Sequence, residues 1–374
     1  MNFNRGSATR TGAIAVGIVA AATLTLSACS GGADSSSSGG SSGGSSADNS
    51  FSGQSVSGEG STAQQKAVQK FQDVLTSNGG IVLNYTGSGS GDGVKKFLAG
   101  DVDFAGSDSA LKESEAAQAK TRCAGNDAWH IPLVAGPVAI AYNLSGVEGL
   151  TLNPSVLAKI FDSKITTWND PAIAALNPGK NLPSEKIVPV HRSDSSGTTD
   201  NFQRFLQDTA KSDWPYEHDK TFKGQGGSAA AKSTGVGDTV KKTAGAITYV
   251  EWGFAEQNNL GLAQLDFGSG ATQLTGDTAS KALAEVQFKT PGSKDLQVDT
   301  DKLFETKTAG AWPLMLTTYE VVCSKGYTGN KGAVLKSAFT TILNQGQSGL
   351  SEIGYVALPD SYKQTLMGTI NALS

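Results

Sequence analysis

Apolar positions recur along this chain with two periods. Ala67, Val68, Phe71, Val74 and Leu75 fall three or four residues apart, and so do Val94, Phe97 and Leu98, and then Phe202, Phe205 and Leu206. Each set makes one apolar face of a helix. Between them lie short apolar runs that read as strands: Ile81 to Tyr85, a brief one within Asp101 to Ser109, and Gly245 to Val250. Two longer strand-like runs are broken, Ile131 to Tyr142 by Gly136-Pro137 and Trp312 to Val322 by an early proline. Ala333 to Ile342 and Ser361 to Leu373 return to helical spacing and read as packing. The alternation predicts an α/β architecture.

The N-terminus breaks this pattern. Arg5 and Arg10 precede an uncharged apolar stretch from Ala13 to Leu26, which ends in Leu26-Ser27-Ala28-Cys29. Residues 1–28 therefore read as an export signal, too short to span a bilayer by the usual requirement of ~20 apolar residues. The cysteine placed after the small residues marks Cys29 as a lipid-modified N-terminus. Residues 29–50 are almost purely Ser, Gly, Ala, Asp and Asn and bury nothing, so they form a tether with a reach of roughly 25 Å. The remaining chain, roughly 320 residues, exceeds one ordinary core, so two lobes are expected. The two long broken strands are the natural crossings between them. Lobe one is placed at 51–135 and 312–374, and lobe two at 136–311.

Composition narrows the function. Hydrophobic residues make up 38% and charged residues 17% of the chain, ordinary for a globular protein. Without the two arginines of the signal, 28 basic residues face 34 acidic ones, a net −6. An acidic chain with no basic run is no nucleic-acid binder. Any anion it takes must be held by local geometry.

Three segments have that geometry. His191-Arg192-Ser193-Asp194-Ser195-Ser196-Gly197-Thr198-Thr199 puts an arginine and a row of hydroxyls just before a helix. The first-turn N–H groups of a helix lack intrahelical partners and sit at the positive end of its dipole, and arginine adds a fork matched to two oxygens. Gly58-Glu59-Gly60-Ser61-Thr62 and Gly87-Ser88-Gly89-Ser90-Gly91-Asp92-Gly93 repeat the arrangement without the arginine. Singly each is an ordinary capped turn; together they point to one oxyanion site.

Enzyme signatures are scarce. Gly227 to Ser233 approaches a nucleotide-binding P-loop, but Ala231 stands where glycine is required. Ser196 lacks the setting of a nucleophile elbow because residue 194 is aspartate. His130, His191 and His218 are isolated and read as structural, and Glu251 and Glu256 as exposed carboxylates. No metal-ligand spacing occurs. With Cys29 set aside, Cys123 and Cys323 remain, and in an exported protein the pair reads as a disulfide, two buried reduced thiols being the alternative.

Asp108 follows a strand and by itself reads as a turn residue. Beside an oxyanion site it acquires a second meaning. A carboxylate repels an anion unless the anion brings a proton; phosphate near neutrality does, and sulfate does not.

Gly58–Thr62, Tyr85–Gly93, Val102–Ser109 and Arg192–Thr198, in this order, resemble the phosphate-binding proteins of phosphate ABC importers. The resemblance continues through Ile165–Pro171, Ala175–Gly179, Gly245–Glu251 and Gly354–Pro359. It implies a two-lobed periplasmic-binding-protein-like fold of type II, with mixed sheets flanked by helices and a two-strand hinge. By matching position it implies phosphate contacts from Gly60, Ser61, Thr62, Ser90, Asp108, Arg192, Ser196, Gly197 and Thr198, with Asp194 steadying Arg192. Asp108 falls on the acceptor of the phosphate proton. The chain departs from many members in having Thr62 for an aromatic residue and Ser195 for glycine. The expectation is a monomeric, lipid-anchored binding protein without cofactor or catalysis that serves membrane permease subunits. The alternatives are a secreted phosphatase-like hydrolase and a binder of another tetrahedral oxyanion.

Overall fold

The computed structural model describes residues 51–268, 270–306 and 308–374. The expectations for the signal, for Cys29 and for the tether lie outside the described residues. The described residues form one compact unit.

Among the described residues the strands are β1 (Ser55–Gly60), β2 (Val82–Gly87), β3 (Phe104–Ser107), β4 (Ala128–Asn143), β5 (Thr151–Leu152), β6 (Val188–Arg192), β7 (Ser228–Ala230), β8 (Ala246–Glu251), β9 (Gly261–Leu262), β10 (Gln264–Asp266), β11 (Ala271–Thr272) and β12 (Met315–Cys323). The principal sheet has the order β2-β1-β3-β12-β4-β8-β6-β7, with β9 added on β4, and a small second sheet joins β11, β10 and β5. Pairing is parallel within β1–β3 and within β6–β8, and antiparallel through β12 and β4. Helices fill the connections, giving the mixed α/β fold that the alternating pattern implied.

β4 joins the two parallel sets. Its Ala128–Pro137 portion pairs with β12 and its Val138–Asn143 portion with β8. It is apolar without alternation because both its faces are covered, with Ile131 and Leu133 through Tyr142 buried. Gly136-Pro137 does not interrupt the strand, contrary to the sequence-based expectation. Pro137 has no N–H to give, and it sits where β4 exchanges one partner strand for the other; the next residue, Val138, resumes by donating to Leu314 O at 2.9 Å. In the other long run the strand begins only at Met315, so Trp312–Leu314 lead into it.

Glycines in β1 serve packing. Gly58 and Gly60 belong to the strand rather than to a loop. A Cβ on Gly58 would lie 2.2 Å from the Phe104 ring, and one on Gly60 would lie 2.0 Å from Gly106 O. The Ile165–Pro171 and Ala175–Gly179 motifs are also structural. Trp168 is fully buried with its indole N–H on Gly245 O at 3.0 Å, and Asp170 caps the Pro171–Leu176 helix through Ala172 N at 2.8 Å. Asn177 then bonds both the N–H and the carbonyl of Thr151, each at 2.8 Å.

Cys123, closing the Glu113–Arg122 helix, is bonded to Cys323 at the end of β12, across a sequence separation of 200 residues. A crosslink over so long a loop restricts the unfolded chain strongly. Cys323→Ala should therefore lower unfolding free energy by about 2–5 kcal/mol, read by denaturant titration. Mass spectrometry of the non-reduced protein should find one Cys123–Cys323 peptide; two alkylatable thiols in the native protein would show that the bond does not form.

Candidate functional site

The candidate residues sit where parallel strands end. Ser61 follows β1, Ser90 opens the helix after β2, and Asp108 follows β3; Arg192 ends β6 and Glu251 ends β8. Carboxyl ends of parallel strands leave a crevice lined by loop and helix N-termini. Here two such ends, one on each side of the β12–β4 pair, meet face to face.

At the centre is Asp108, 9% exposed. Ser61 donates to both its carboxylate oxygens at 2.7 and 2.8 Å, Ser90 to Oδ2 at 3.0 Å and Thr318 to Oδ1 at 2.6 Å. Burial pushes the acid up; the three hydroxyls pull it down, the Glu251 charge adds to the rise, and the balance falls at about 6. Asp108 is thus mainly ionised at neutral pH and remains an acceptor. Thr318 was not among the sequence-derived candidates. The pairing of β12 with β4 shifts register between Thr318 and Tyr319, and irregularities of this kind re-aim a side chain.

The opposing wall is the start of the Gly197–Thr209 helix. Ser196 is its N-cap, with Oγ accepting from Thr199 N at 3.2 Å. That bond leaves the first-turn amides of Gly197 and Thr198 without an intrahelical acceptor. Gly197 is the point of contact, since a Cβ there would lie 2.5 Å from Ser90 Oγ and 2.6 Å from Asp108 Oδ2. Gly91 N donates to Ser195 O at 3.0 Å, so the second Gly-rich segment touches the arginine-bearing one directly.

Arg192 is buried at the end of β6 and is held by Asp194, with Nε donating to Oδ1 at 2.8 Å and Nη2 to Oδ2. Burial alone would lower the Arg192 pKa, but the Asp194 carboxylate more than offsets it and the net shift is upward. In Asp194 burial works upward and the arginine's bonds and charge prevail, so its pKa falls. Asp194 also accepts Lys232 N at 2.9 Å. The guanidinium reaches Ser233 Oγ at 3.3 Å through Nη1.

Ser233 lies in the segment whose P-loop likeness failed, and no sequence signal singled it out. Its hydroxyl also meets Thr62 Oγ1 at 2.9 Å. Thr62, a departure from the family pattern, thereby bonds across the crevice, and Ser195, the other departure, packs its Oγ over Gly91. Glu251 corrects the sequence reading. It is 3% exposed and accepts Thr198 Oγ1 at 2.6 Å, while Glu256 is exposed as expected. Strand-end carboxylates read as exposed when their covering helix is unknown.

One expected donor is engaged elsewhere. Ser61 N donates to Gly106 O at 2.7 Å, so Ser61 brings its hydroxyl but not its amide. Gly60 O accepts the amides of Ser88 and Gly89 at 2.9 and 2.8 Å, tying the first two loops together. The histidines are structural: His130 on Asp295, His218 on Asp200 and His191 stacked on Phe222 at 4.2 Å. Among the described residues no cluster of three or more metal-binding side chains occurs, and no helix is long and apolar enough to cross a membrane.

Residues 35–341 match the model of the PBP superfamily domain. The chain is 42% identical over 318 residues to the phosphate-binding protein PstS 3 of Mycobacterium tuberculosis, covering 84% of this chain and 85% of that one. It is 40% identical over 320 residues to PstS2 of Mycobacterium bovis, covering 84% and 86%. Among solved structures, a high-affinity periplasmic phosphate-binding protein with bound phosphate aligns at a TM-score of 0.68 with 24% identity, over 84% of this chain and 93% of the other. A human phosphate-binding apolipoprotein aligns at 0.67 with 22% identity and the same coverage. These two share the fold. The chain belongs to the PBP superfamily and, within it, to the PstS family of phosphate-binding proteins.

Proposed function

We propose that this chain binds inorganic phosphate outside the cytoplasm and delivers it to the permease subunits of an ABC-type phosphate importer. Asp108 is the observation that carries the reading. An ionised carboxylate stands among hydroxyls, helix-start amides and a buried arginine, which suits an oxyanion that brings one proton. Asp108 accepts a hydrogen bond from that protonated oxygen; Arg192, oriented by Asp194, and the amides of Gly197 and Thr198 donate to the unprotonated oxygens; Ser61, Thr62, Ser90 and Ser196 complete the cage. The protein binds and releases without catalysis, and incubation with a chromogenic phosphate ester tests this against a phosphatase reading.

The division into lobes 51–135 with 312–374 and 136–311 belongs to the same proposal. β4 exchanges partner strands at Pro137–Val138, and Leu314 lies beside it. With the chain passing between the lobes at these two places, a ligand touching both lobes stabilises the closed form. Attachment through Cys29 and the 29–50 tether would keep a monomer near its importer.

Titration calorimetry on phosphate-stripped protein should show tight phosphate binding, tolerance of arsenate, and no sulfate binding at millimolar levels; absence of phosphate binding would sink the reading. Arg192→Lys keeps the charge but loses the fork and should weaken binding clearly, while Arg192→Ala, which removes the charge, should weaken it by about 2–5 kcal/mol. An Arg192→Ala protein with wild-type affinity would remove Arg192 from the site. Small-angle scattering should give a smaller radius of gyration with phosphate than without, and identical curves at saturation would exclude closure.

Asp108→Asn should act oppositely on selectivity and stability. The amide can donate to an unprotonated oxygen, so the phosphate-to-sulfate ratio, expected at ~10⁴–10⁵ in the wild type, should narrow. Wild-type sulfate binding should likewise strengthen as pH falls through about 6, where Asp108 takes up its own proton. Because the folded pKa lies above that of the unfolded chain, the stabilisation present below about pH 4 is lost as pH rises through 6. The ligand-free Asp108→Asn protein should then be more stable than wild type at pH 7 by about 1–3 kcal/mol and not at pH 3. Thermal unfolding at the two pH values checks this.

A further inference from the structure

Besides Asp108 and Glu251, another carboxyl group is buried behind the site. Glu320, in the middle of β12, is 3% exposed. Its partners on the adjoining strands are Gly106 on β3 and Ile131 on β4, neither of which carries charge. The one hydrogen bond to its side chain among the described residues comes from Gln64 Nε2 at 3.3 Å. No salt bridge among the described residues includes it.

Gln64 is fully buried just past the Ser61-Thr62 turn, and its Nε2 serves two acceptors. The other is Tyr85 OH, at 3.0 Å. Tyr85 gives its single proton to Ser61 O at 2.9 Å, so Gln64 must present an N–H to it, which settles the orientation of the amide. Gly106 is shaped around this chain of bonds. A Cβ there would stand 2.2 Å from Tyr85 OH and 2.4 Å from Gln64 Nε2, and its carbonyl accepts Ser61 N. Glu320, Gln64, Tyr85 and Ser61 thus form one buried series that ends at the hydroxyl on Asp108.

We propose that Glu320 is held as an un-ionised carboxylic acid and, through Gln64 and Tyr85, positions the Ser61–Ala63 turn of the anion site. An isolated carboxylate without a cation is too costly to bury, and the group keeps its proton instead. The charged and titratable surroundings agree. The Asp108 carboxylate beyond β3 repels a second negative charge, and the Tyr85 phenol is itself driven upward by burial and by Glu320. On β4 the His130 ring accepts Leu111 N at Nε2 and turns Nδ1 to Asp295. Burial, helped by Asp108 and opposed by the Gln64 bond, raises the Glu320 acid to about 8. Ionisation above that pH would place a charge behind a site that must admit an anion.

This inference rests on the phosphate reading, and its test separates the two. Phosphate affinity is measured by calorimetry from pH 7 to 9 on wild type and Glu320→Gln, and the two are compared as a ratio, which cancels the titration of phosphate itself. One unit above its pKa only about a tenth of Glu320 keeps the proton, so the ratio should move about ten-fold against the wild type by pH 9. Glu320→Ala should bind more weakly than Glu320→Gln throughout, because Gln64 loses its partner. A constant ratio, or equal affinity of the two variants, would overturn the proposal. Carboxyl-¹³C-glutamate NMR of wild type needs neither variant nor ligand, and it should show one glutamate titrating above pH 7. Absence of such a glutamate overturns the proposal too, whereas absence of phosphate binding at pH 7 would sink only the functional reading.

Discussion

The burial of the Asp108 carboxylate governs the arrangement around it. A negative charge removed from water needs hydrogen bonds to every side it presents, and here three hydroxyls from three separate segments supply them. Ser61 comes from the end of β1, Ser90 from the helix after β2, and Thr318 from β12. Satisfying one carboxylate therefore aligns three separate segments of the chain. The residual penalty leaves the acid raised to about 6.

The opposite wall obeys the complementary rule. Arg192 is a buried cation, kept charged and oriented by Asp194, while the helix start at Gly197 adds amides that no helix partner claims. Gly197 has no side chain because Ser90 and Asp108 occupy that space. The crevice closes backbone to side chain, without a gap for solvent at that point. Thr62 with Ser233, and Gly91 with Ser195, add direct bonds between the walls. A surface cavity of about 680 Å³ lined by Asn153, Phe267 and Phe304 among others lies elsewhere, and none of the site residues lines it.

Around this centre the fold holds its acids in distinct states. Asp108 faces hydroxyls and is mainly ionised at neutral pH, Asp194 faces an arginine and is held well ionised, and Glu320 has only a neutral amide beside it. Their differences come from partners as well as from depth of burial, since Asp194 is less buried than the other two.

Much of this was legible in the sequence. The helical and strand periods indicated the α/β class, and Ser/Gly segments ahead of apolar helices located Ser61, Ser90 and Ser196 to Thr198, because capping chemistry is local. The family resemblance supplied Asp108 and its role. Other features were decided only by tertiary contacts. Thr318 and Ser233 are ordinary residues whose value arises from a register shift and a crossing between walls. Glu251 closes a motif that gave no sign of its burial and Glu320 lies in none; the burial of both depends on strands and helices far away in the chain. Pro137 looked like an interruption because a proline removes a donor, yet the strand changes partner at that residue. Local sequence determines which backbone groups are left free and which side chains cap them. Which distant strand ends meet, and so which charges share one buried volume, is set by long-range pairing that no short segment encodes.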